Sequence, residues 1–322
     1  MTTASPLLLG LEIGGTKLQL GLGRADGRII ALERRVIRPE AGAVAILDQI
    51  RQAYLHLLAH PAANGERPFS AGIGFGGPVD AQRGLTLKSH QVAGWDQFDL
   101  TGWVVETLKI SRVVIRNDAD TAGLGEVSQG AGQGLSPVFY VTIGSGIGGG
   151  LILDGQIYQG SGPGAAEIGH LWIDDPELGP RRLEEIASGW AITREARSRL
   201  SVGGEVAGPL DSLAQGDPDR IDGAAVARAA AAGDHRARAI LAKATTAVGQ
   251  ALAHMVTLLG PRRIILGGGV SLIGEQLWFE PIRQTLDDRV FPPFRGTFDR
   301  VPAALGEEVV IHGALELAGK HD

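Results

Sequence analysis

Two glycine-rich turns, each set between apolar strand-like runs, carry the chemistry in this chain. The first is Gly14-Gly15-Thr16-Lys17, between Leu7–Ile13 and Leu18–Leu22. The second is Gly144-Ser145-Gly146-Ile147-Gly148-Gly149-Gly150, between Val138–Ile143 and Leu151–Leu153. Without a Cβ, backbone N–H groups can close on a bulky anion. Two such hairpins suit a phosphate chain gripped from both sides, as a nucleotide-driven phosphotransferase requires. For either hairpin alone, a tight turn without ligand is the alternative. Gly144 to Gly149 also matches G-x-G-x-x-G, but a dinucleotide fingerprint needs a helix to follow, with its N-terminus at the pyrophosphate. Here Leu151-Ile152-Leu153 runs straight into the Asp154-Gly155 turn, which argues against a Rossmann oxidoreductase.

Other polar residues gather around the same pattern. Thr16 and Lys17 add a hydroxyl and a charge to the first turn. Glu12 could hold Mg²⁺ through water, since hard cations take oxygen ligands, or simply face solvent from a strand. Asn117-Asp118 follows the strand-like Val113–Ile115 and precedes the helical run Ala119–Val127. Both residue types are favoured helix N-caps. A carboxylate at the C-terminal edge of a strand can equally accept the proton of a hydroxyl attacking a γ-phosphorus. Glu167, His170 and Glu184, with the Asn117 amide, mix donors and acceptors as a polyhydroxylated ligand demands. A lone His can instead be structural. Gly267-Gly268-Gly269 ends a buried strand and can either admit a flat adenine or make an ordinary strand-to-helix turn.

The elements that must position these residues alternate in type. Strand, glycine turn, strand, the Asp26-Gly27 turn and a third strand over Arg28–Arg35 open the chain. An amphipathic helix over 41–60 follows, then a strand at Ala71–Phe75, a helix within Phe98–Leu108 and a strand at Val113–Ile115. The opening pattern restarts at Val138, which reads as an internal duplication. Residues 183–199 read as helix and 201–222 as an exposed connector rich in Gly, Pro and Asp. Helices follow from Ala224 and from about 235 to Leu259, then the strand Ile264–Leu266. Near the end come Val309–Ile311, His312-Gly313 and a short helix.

Composition narrows the function classes. The 322 residues favour two lobes, and 44% hydrophobic with 20% charged residues describe a globular protein. Glycine, at 48 residues, is well above the usual share of about 7% and reads as spread through turn positions. A net charge of −6 without a basic stripe speaks against a nucleic-acid partner. With no cysteine there is neither a disulfide nor a thiolate metal site, which fits a reducing compartment. The N-terminus shows no signal peptide or membrane span, so a cytoplasmic enzyme is expected.

At these residues the chain resembles the ROK family of sugar kinases, which includes glucokinases, fructokinases and N-acetylhexosamine kinases. The matching blocks are GLEIGGTK (Gly10–Lys17), GIGFGGPVD (Gly72–Asp80), NDADTAGLGE (Asn117–Glu126), TIGSGIGGGLI (Thr142–Ile152), EIGH (Glu167–His170), LEEIASG (Leu183–Gly189) and IILGGGV (Ile264–Val270), in order across nearly the whole chain. The resemblance implies an α/β fold, the duplicated ribonuclease-H-like fold of the actin, hexokinase and Hsp70 superfamily, with two lobes and a cleft. Residues 1–116 would form a small lobe, joined by a C-terminal helix at about 306–322, and 117–305 a large one. It implies ATP phosphates at Gly14, Gly15, Thr16, Lys17, Gly144, Ser145 and Gly146, adenosine at Gly267, Gly268 and Gly269, and Asp118 as catalytic base. Sugar hydroxyls would meet Asn117, Asp118, Glu167, His170, Glu184 and Gly77, and the assembly would be a homodimer.

Three departures qualify this. Glu12 stands where many members have Asp. The cysteine-rich zinc motif is replaced by Leu178-Gly179-Pro180-Arg181-Arg182, so no tetrahedral thiolate site forms and His170 would serve the sugar alone. Gln91 stands where glucokinase-like members often carry Asn before the Gly-Trp pair (here Gly94-Trp95), which leaves the sugar open among glucose, fructose, mannose and acetylated amino sugars. The expectation is ATP- and Mg²⁺-dependent phosphorylation of a hexose 6-hydroxyl, glucokinase-like, with polyphosphate as the alternative donor. A sugar-sensing repressor of the same family would be expected to carry a helix-turn-helix ahead of the first hairpin, which here begins at residue 14. A catalytically silent sugar-binding protein is the remaining alternative.

Overall fold

The run Leu7–Ile13 is apolar at nearly every position, as a strand covered on both faces must be. In the computed structural model, which describes residues 5–89, 91–175, 177, 179–201 and 208–320, it lies inside a five-stranded sheet. Strands β1 (Leu8–Ile13), β2 (Lys17–Gly23) and β3 (Ile29–Val36) form an antiparallel meander, and β4 (Ser70–Phe75) lies parallel to β1. Three two-residue strands, β5 (Val79–Asp80), β6 (Leu85–Thr86) and β7 (Phe98–Asp99), pair in a small antiparallel sheet. Strand β8 (Arg112–Asn117) then joins the first sheet parallel to β4, giving the order β3-β2-β1-β4-β8.

Period-two alternation sends Leu7, Leu9, Leu11 and Ile13 to one face, where Ile46, Ile50 and Tyr54 of helix α1 (Gly42–Ala59) are buried in the same cluster. Leu8 points to the opposite face, into a cluster with Ile311, Leu315 and Ala318 of the C-terminal helix. That helix spans Val309–Gly319 without interruption. Val309–Ile311 are thus part of it, and Gly313 does not mark its start. Helices α2 (Leu100–Leu108) and α3 (Asp118–Gln129) follow β7 and β8.

The glycine excess proves to be as much about packing as about turns. A Cβ on Gly10 would stand 3.1 Å from the Ile311 carbonyl oxygen, and one on Gly21 would stand 2.6 Å from Ile311 Cγ2. One on Gly72 would overlap the Ala314 carbonyl oxygen. The C-terminal helix therefore lies directly on backbone. It also crosses α3 glycine to glycine: a Cβ on Gly125 would stand 2.9 Å from Gly313 N, and one on Gly313 would overlap the Thr121 carbonyl oxygen. Gly313→Ala is accordingly expected to cost about 2–3 kcal/mol, the scale of overpacking a filled core. That corresponds to a melting temperature roughly 3–5 °C lower. A thermal melt unchanged within about 1 °C would show that the crossing yields more easily than this.

A second sheet repeats the first. Strands β9 (Val138–Ile143), β10 (Ile147–Leu153), β11 (Gln156–Ile157), β14 (Arg263–Gly267) and β15 (Asp299–Pro302) take the order β11-β10-β9-β14-β15, once the ribbon β12 (Trp172–Asp175) and β13 (Gly179–Arg182) has been set aside. In both sheets the third, second, first, fourth and fifth strands in chain order lie side by side, so the duplication read from the sequence is present in the topology. Strand β10 begins at Ile147, which confines the second turn to Gly144–Gly146. Gly150 lies within the strand, where a Cβ would stand 3.0 Å from the Ala119 carbonyl oxygen of α3.

The chain forms two compact units, one of Met1–Tyr140, Gly150–Ala166 and Ala303–Asp322, the other of Val141–Gly149 and Glu167–Pro302. The first unit reaches past residue 116 because α3 packs on β4 and on the C-terminal helix. In the second unit, helices α4 (Leu183–Ala187), α5 (Gly189–Ser201), α6 (Pro209–Ala214) and α7 (Gly223–Ala231) precede the long α8 (His235–Leu259), and α9 (Glu280–Arg289) packs against α8. Asp234 caps α8, its carboxylate accepting from the N–H groups of Arg236 at 3.0 Å and Ala237 at 3.1 Å. Gly260, at φ 52°, closes its other end. The stretch expected as a connector contains α6 and a helical turn at Pro218–Arg220, while residues 202–207 lie outside the described residues. Gly267–Gly269 leads only into a short helical turn, Gly269–Ile273. Among the described residues no helix is long and apolar enough to cross a membrane.

Candidate active site

Strand register explains how distant glycines and acids meet. Strands β1, β4 and β8 are parallel, and their last residues are partners: Ile13 with Phe75, and Phe75 with Asn117. The residues that follow, Gly14, Gly76 and Asp118, therefore emerge side by side at the carboxyl edge of the sheet, where α/β sheets hold ligands. A Cβ on Gly76 would stand 3.2 Å from Gly14 Cα and 3.4 Å from Asp118 Oδ2. The first hairpin turns tightly, Gly14 N–H donating to the Lys17 carbonyl at 2.9 Å. Gln91 extends its side-chain amide into the space a Cβ on Gly15 would fill, so this departure from the family pattern lies on the hairpin itself.

Asn117 is the helix cap that its residue type suggested. Its Oδ1 accepts from Ala119 N–H at 2.8 Å and Asp120 N–H at 3.4 Å, and its Nδ2 donates to the Gly77 carbonyl at 3.2 Å. Capping and site placement thus coincide: the same amide that starts α3 fixes Gly77 and sets Asp118 in the first turn. Asp118 Oδ1 accepts from Ala119 N–H at 2.9 Å.

Glu12 and Lys17 pair with each other. Lys17 Nζ lies 2.9 Å from Glu12 Oε1, and Gln19 Nε2 donates to Glu12 Oε2 at 2.6 Å. Lys17 and Gln19 both donate onward to the Glu307 carbonyl, at 3.2 and 2.7 Å. Burial pushes the Glu12 carboxyl above the ordinary range, while the Lys17 ammonium and the Gln19 amide oppose that shift. Both carboxylate oxygens are engaged and an ammonium stands where a cation would, so in this arrangement Glu12 does not fit the role of holding Mg²⁺. Glu12→Gln is expected to lower stability by about 1–2 kcal/mol, as for a lost charged hydrogen bond, and to leave the Mg²⁺ requirement of activity within about twofold. A tenfold rise in that requirement would return the metal role to Glu12.

In the second unit, the second hairpin gathers its own acids. Gly144 N–H donates to the Gly146 carbonyl at 2.9 Å, and Gly189 N–H to the Gly144 carbonyl at 2.8 Å. Glu184 Oε2 accepts from Ile147 N–H at 2.9 Å, and a Cβ on Gly146 would overlap that oxygen. Gly169 lies against the Ile147 carbonyl, which brings Glu167 and His170 to the same hairpin. His170 N–H donates to the Glu167 carbonyl at 3.0 Å. Glu167 keeps solvent access, yet partial desolvation raises its pKa; the His170 charge opposes this and the Glu184 carboxylate reinforces it. Gly268, at φ 86°, abuts the Ile143 backbone, a Cβ there meeting Ile143 N at 2.5 Å.

The ribbon β12–β13 joins His170 to Glu184, Leu183 N–H donating to the Leu171 carbonyl at 2.8 Å. Lys243 of α8 holds it. Its Nζ lies 2.7 Å from Asp175, 3.5 Å from Glu177 and 3.8 Å from Glu195. Lys243 carried no sequence signal, since a lysine in a helix is ordinarily solvated. Leu178, within the stretch that replaces the zinc motif, lies outside the described residues. Among the described residues there is no group of three or more His, Cys, Asp or Glu side chains that could hold a metal.

A sequence profile described as the ROK family matches residues 8–321. A glucokinase of Thermotoga maritima is 31% identical over 96% of this chain and 96% of its own. One from Streptomyces coelicolor is 32% identical over 98% of each. A crystal structure of a ROK family glucokinase from Streptomyces griseus in complex with glucose and AMPPNP is similar at TM-score 0.81 and 33% identity, covering 97% of this chain and 99% of that one.

Proposed function

This chain belongs to the ROK family, and on that premise we infer that it is a sugar kinase that transfers the γ-phosphoryl group of ATP to the 6-hydroxyl of a hexose, glucokinase-like. The observation that carries the reading is the in-register ending of β1, β4 and β8, which supports a first glycine hairpin and the Asp118 carboxylate acting on one ligand. In the proposed mechanism Asp118 takes the hydroxyl proton. The sugar oxygen bonds to the γ-phosphorus as the bond from that phosphorus to the β,γ-bridging oxygen breaks, and ADP leaves. Backbone N–H groups of Gly14, Gly15, Thr16, Gly144, Ser145 and Gly146 offset charge on the phosphates, with Lys17 beside them. Such catalysis rests on positioning and electrostatics.

Asn117, Gly77, Glu167, His170 and Glu184 are proposed to hold sugar hydroxyls, and Gly267, Gly268 and Gly269 the adenosine. Mg²⁺ arrives as part of the nucleotide substrate, and no side chain is assigned to it. The reading also takes the enzyme as a cytoplasmic homodimer that uses a free small-molecule sugar, without a nucleic-acid or membrane partner and without zinc. A matrix of hexoses against ATP and polyphosphate, read by donor consumption and by the site of phosphorylation, tests this. Hexose 6-phosphate formed with ATP is expected. Absence of product from every hexose with either donor would remove the kinase reading.

A further inference from the structure

Strand β2 is apolar on one face, where Leu18, Leu20 and Leu22 join the core. On its other face Gly21 and Gly23 lie under Ile311 and Leu315 of the C-terminal helix. Gln19 shares that second face by the period of two and is 0% exposed. A leucine would fill such a position without needing partners, whereas a buried amide must be hydrogen-bonded.

Register supplies the partners. Glu12 of β1 stands opposite Gln19, and Gln19 stands opposite Arg34 of β3, so the three side chains form a row across the meander. Gln19 Nε2 donates to Glu12 Oε2 and to the Glu307 carbonyl, and its Oε1 accepts from Arg34 Nε at 3.0 Å. Arg34 also pairs with Glu308. The amide thus ties the Glu12 carboxylate and the Glu307 carbonyl into one fixed arrangement.

Those are the two acceptors that hold Lys17. Its Nζ meets Glu12 Oε1 and the Glu307 carbonyl, which engages two of the three N–H donors of an ammonium. The Lys17 side chain is 38% exposed and that of Glu12 8%, so the row opens toward solvent at Lys17, within the first glycine hairpin. A solvated lysine samples many rotamers and must lose that freedom to grip a ligand. Pinned by two acceptors, Lys17 presents its remaining donor in one direction, as preorganised electrostatic catalysis requires.

We propose that Gln19 is a positioning residue for phosphoryl transfer: it fixes the Glu12 carboxylate and the Glu307 carbonyl around the Lys17 ammonium, so that Lys17 meets the phosphates of the donor in a single orientation. The inference rests on the kinase reading and deepens it, since Gln19 itself, buried behind the hairpin, acts only through Lys17.

A double-mutant cycle separates positioning from general structural support. Wild type, Gln19→Met, Lys17→Met and the double variant are assayed on the best hexose, with KM for ATP, KM for sugar and kcat measured at a temperature where thermal melts show each protein folded. Lys17→Met should raise the KM for ATP at least about tenfold, the worth of one charge-assisted hydrogen bond. Gln19→Met should raise it about fivefold and leave the KM for sugar within about twofold. The double variant should stay within about twofold of Lys17→Met, because an orienting residue has nothing left to orient once the ammonium is gone. An unchanged KM for ATP in either single variant overturns the proposal and leaves the kinase reading intact. Equal rises in both KM values, or single effects that multiply in the double variant, do the same. Should Gln19→Met not fold, Arg34→Met takes its place in the cycle: its side chain is half exposed, and it should show the same pattern with a smaller factor or overturn the proposal. No turnover of any hexose by wild type, with ATP or polyphosphate, overturns both readings.

Discussion

Replacing Asp118 by alanine is expected to lower kcat by roughly two to four decades, the range of a positioned general base. In free energy this is about 3–5 kcal/mol of lost transition-state stabilisation. The loss should appear in kcat far more than in sugar affinity, because the remaining hydroxyl contacts are proposed to come from Asn117, Gly77, Glu167, His170 and Glu184. The fold should survive the change. The cap of α3 is the Asn117 amide, whose Oδ1 accepts from Ala119 and Asp120 N–H, so alanine at 118 leaves the helix start in place. Asp118→Asn, which keeps shape and removes basicity, should fall almost as far. Steady-state kinetics check both, and turnover within about threefold of wild type would take Asp118 out of the base role.

The second large effect is on stability. Lys243→Met is expected to cost about 3 kcal/mol, the lower end of breaking a buried ion pair from one side. The Asp175 side chain is 1% exposed and Lys243 15%, so the variant strips a buried carboxylate of its ammonium. Burial alone would lower the Lys243 pKa, but the hydrogen bond it donates to Asp175 and the charges of Glu195, Asp175 and Glu177 together raise it. A lysine raised on folding contributes stability that is fully present below its unfolded pKa and lost only as pH rises through the folded value. The contribution is therefore intact at neutral pH and should fade only in strongly alkaline solution. Denaturant unfolding at pH 7 measures the cost. Adding Asp175→Leu to Lys243→Met should restore much of it, since removing both charges avoids the buried mismatch. The ribbon ends at His170 and Glu184, so the single variant should also raise the KM for sugar. Unchanged stability in Lys243→Met would mean that the cluster is solvated and structurally idle.

What was legible in the sequence follows from range. The hairpins at Gly14 and Gly144 and the helix start at Asn117 are local patterns, and strands, turns and cap all lie within a few residues of their signals. The ordered blocks carried the fold through the family resemblance, and the strand, turn and strand pattern that restarts at Val138 has its counterpart in the matching strand orders of the two sheets. Pairings across long stretches of chain were not legible. Lys243 and Asp175 have no shared local signature, and neither do Glu12 and the Glu307 carbonyl reached through Gln19. Gly10 and Gly72 lie inside strand-like runs that give no local reason for glycine; their need for no Cβ comes from a helix lying on them. Gly313 in particular looked like a helix boundary because glycine is a poor interior residue, and the close crossing with α3 overrides that propensity.

The measurement that bears most directly on this account is a crystal structure of the protein with the hexose it phosphorylates best and a non-hydrolysable ATP analogue. An Asp118 carboxylate oxygen is expected within about 2.6–3.2 Å of the sugar 6-hydroxyl, with backbone N–H groups of the Gly14 and Gly144 hairpins directed at phosphate oxygens. A sugar whose 6-hydroxyl lies against another residue, or a triphosphate that touches neither hairpin, would contradict it.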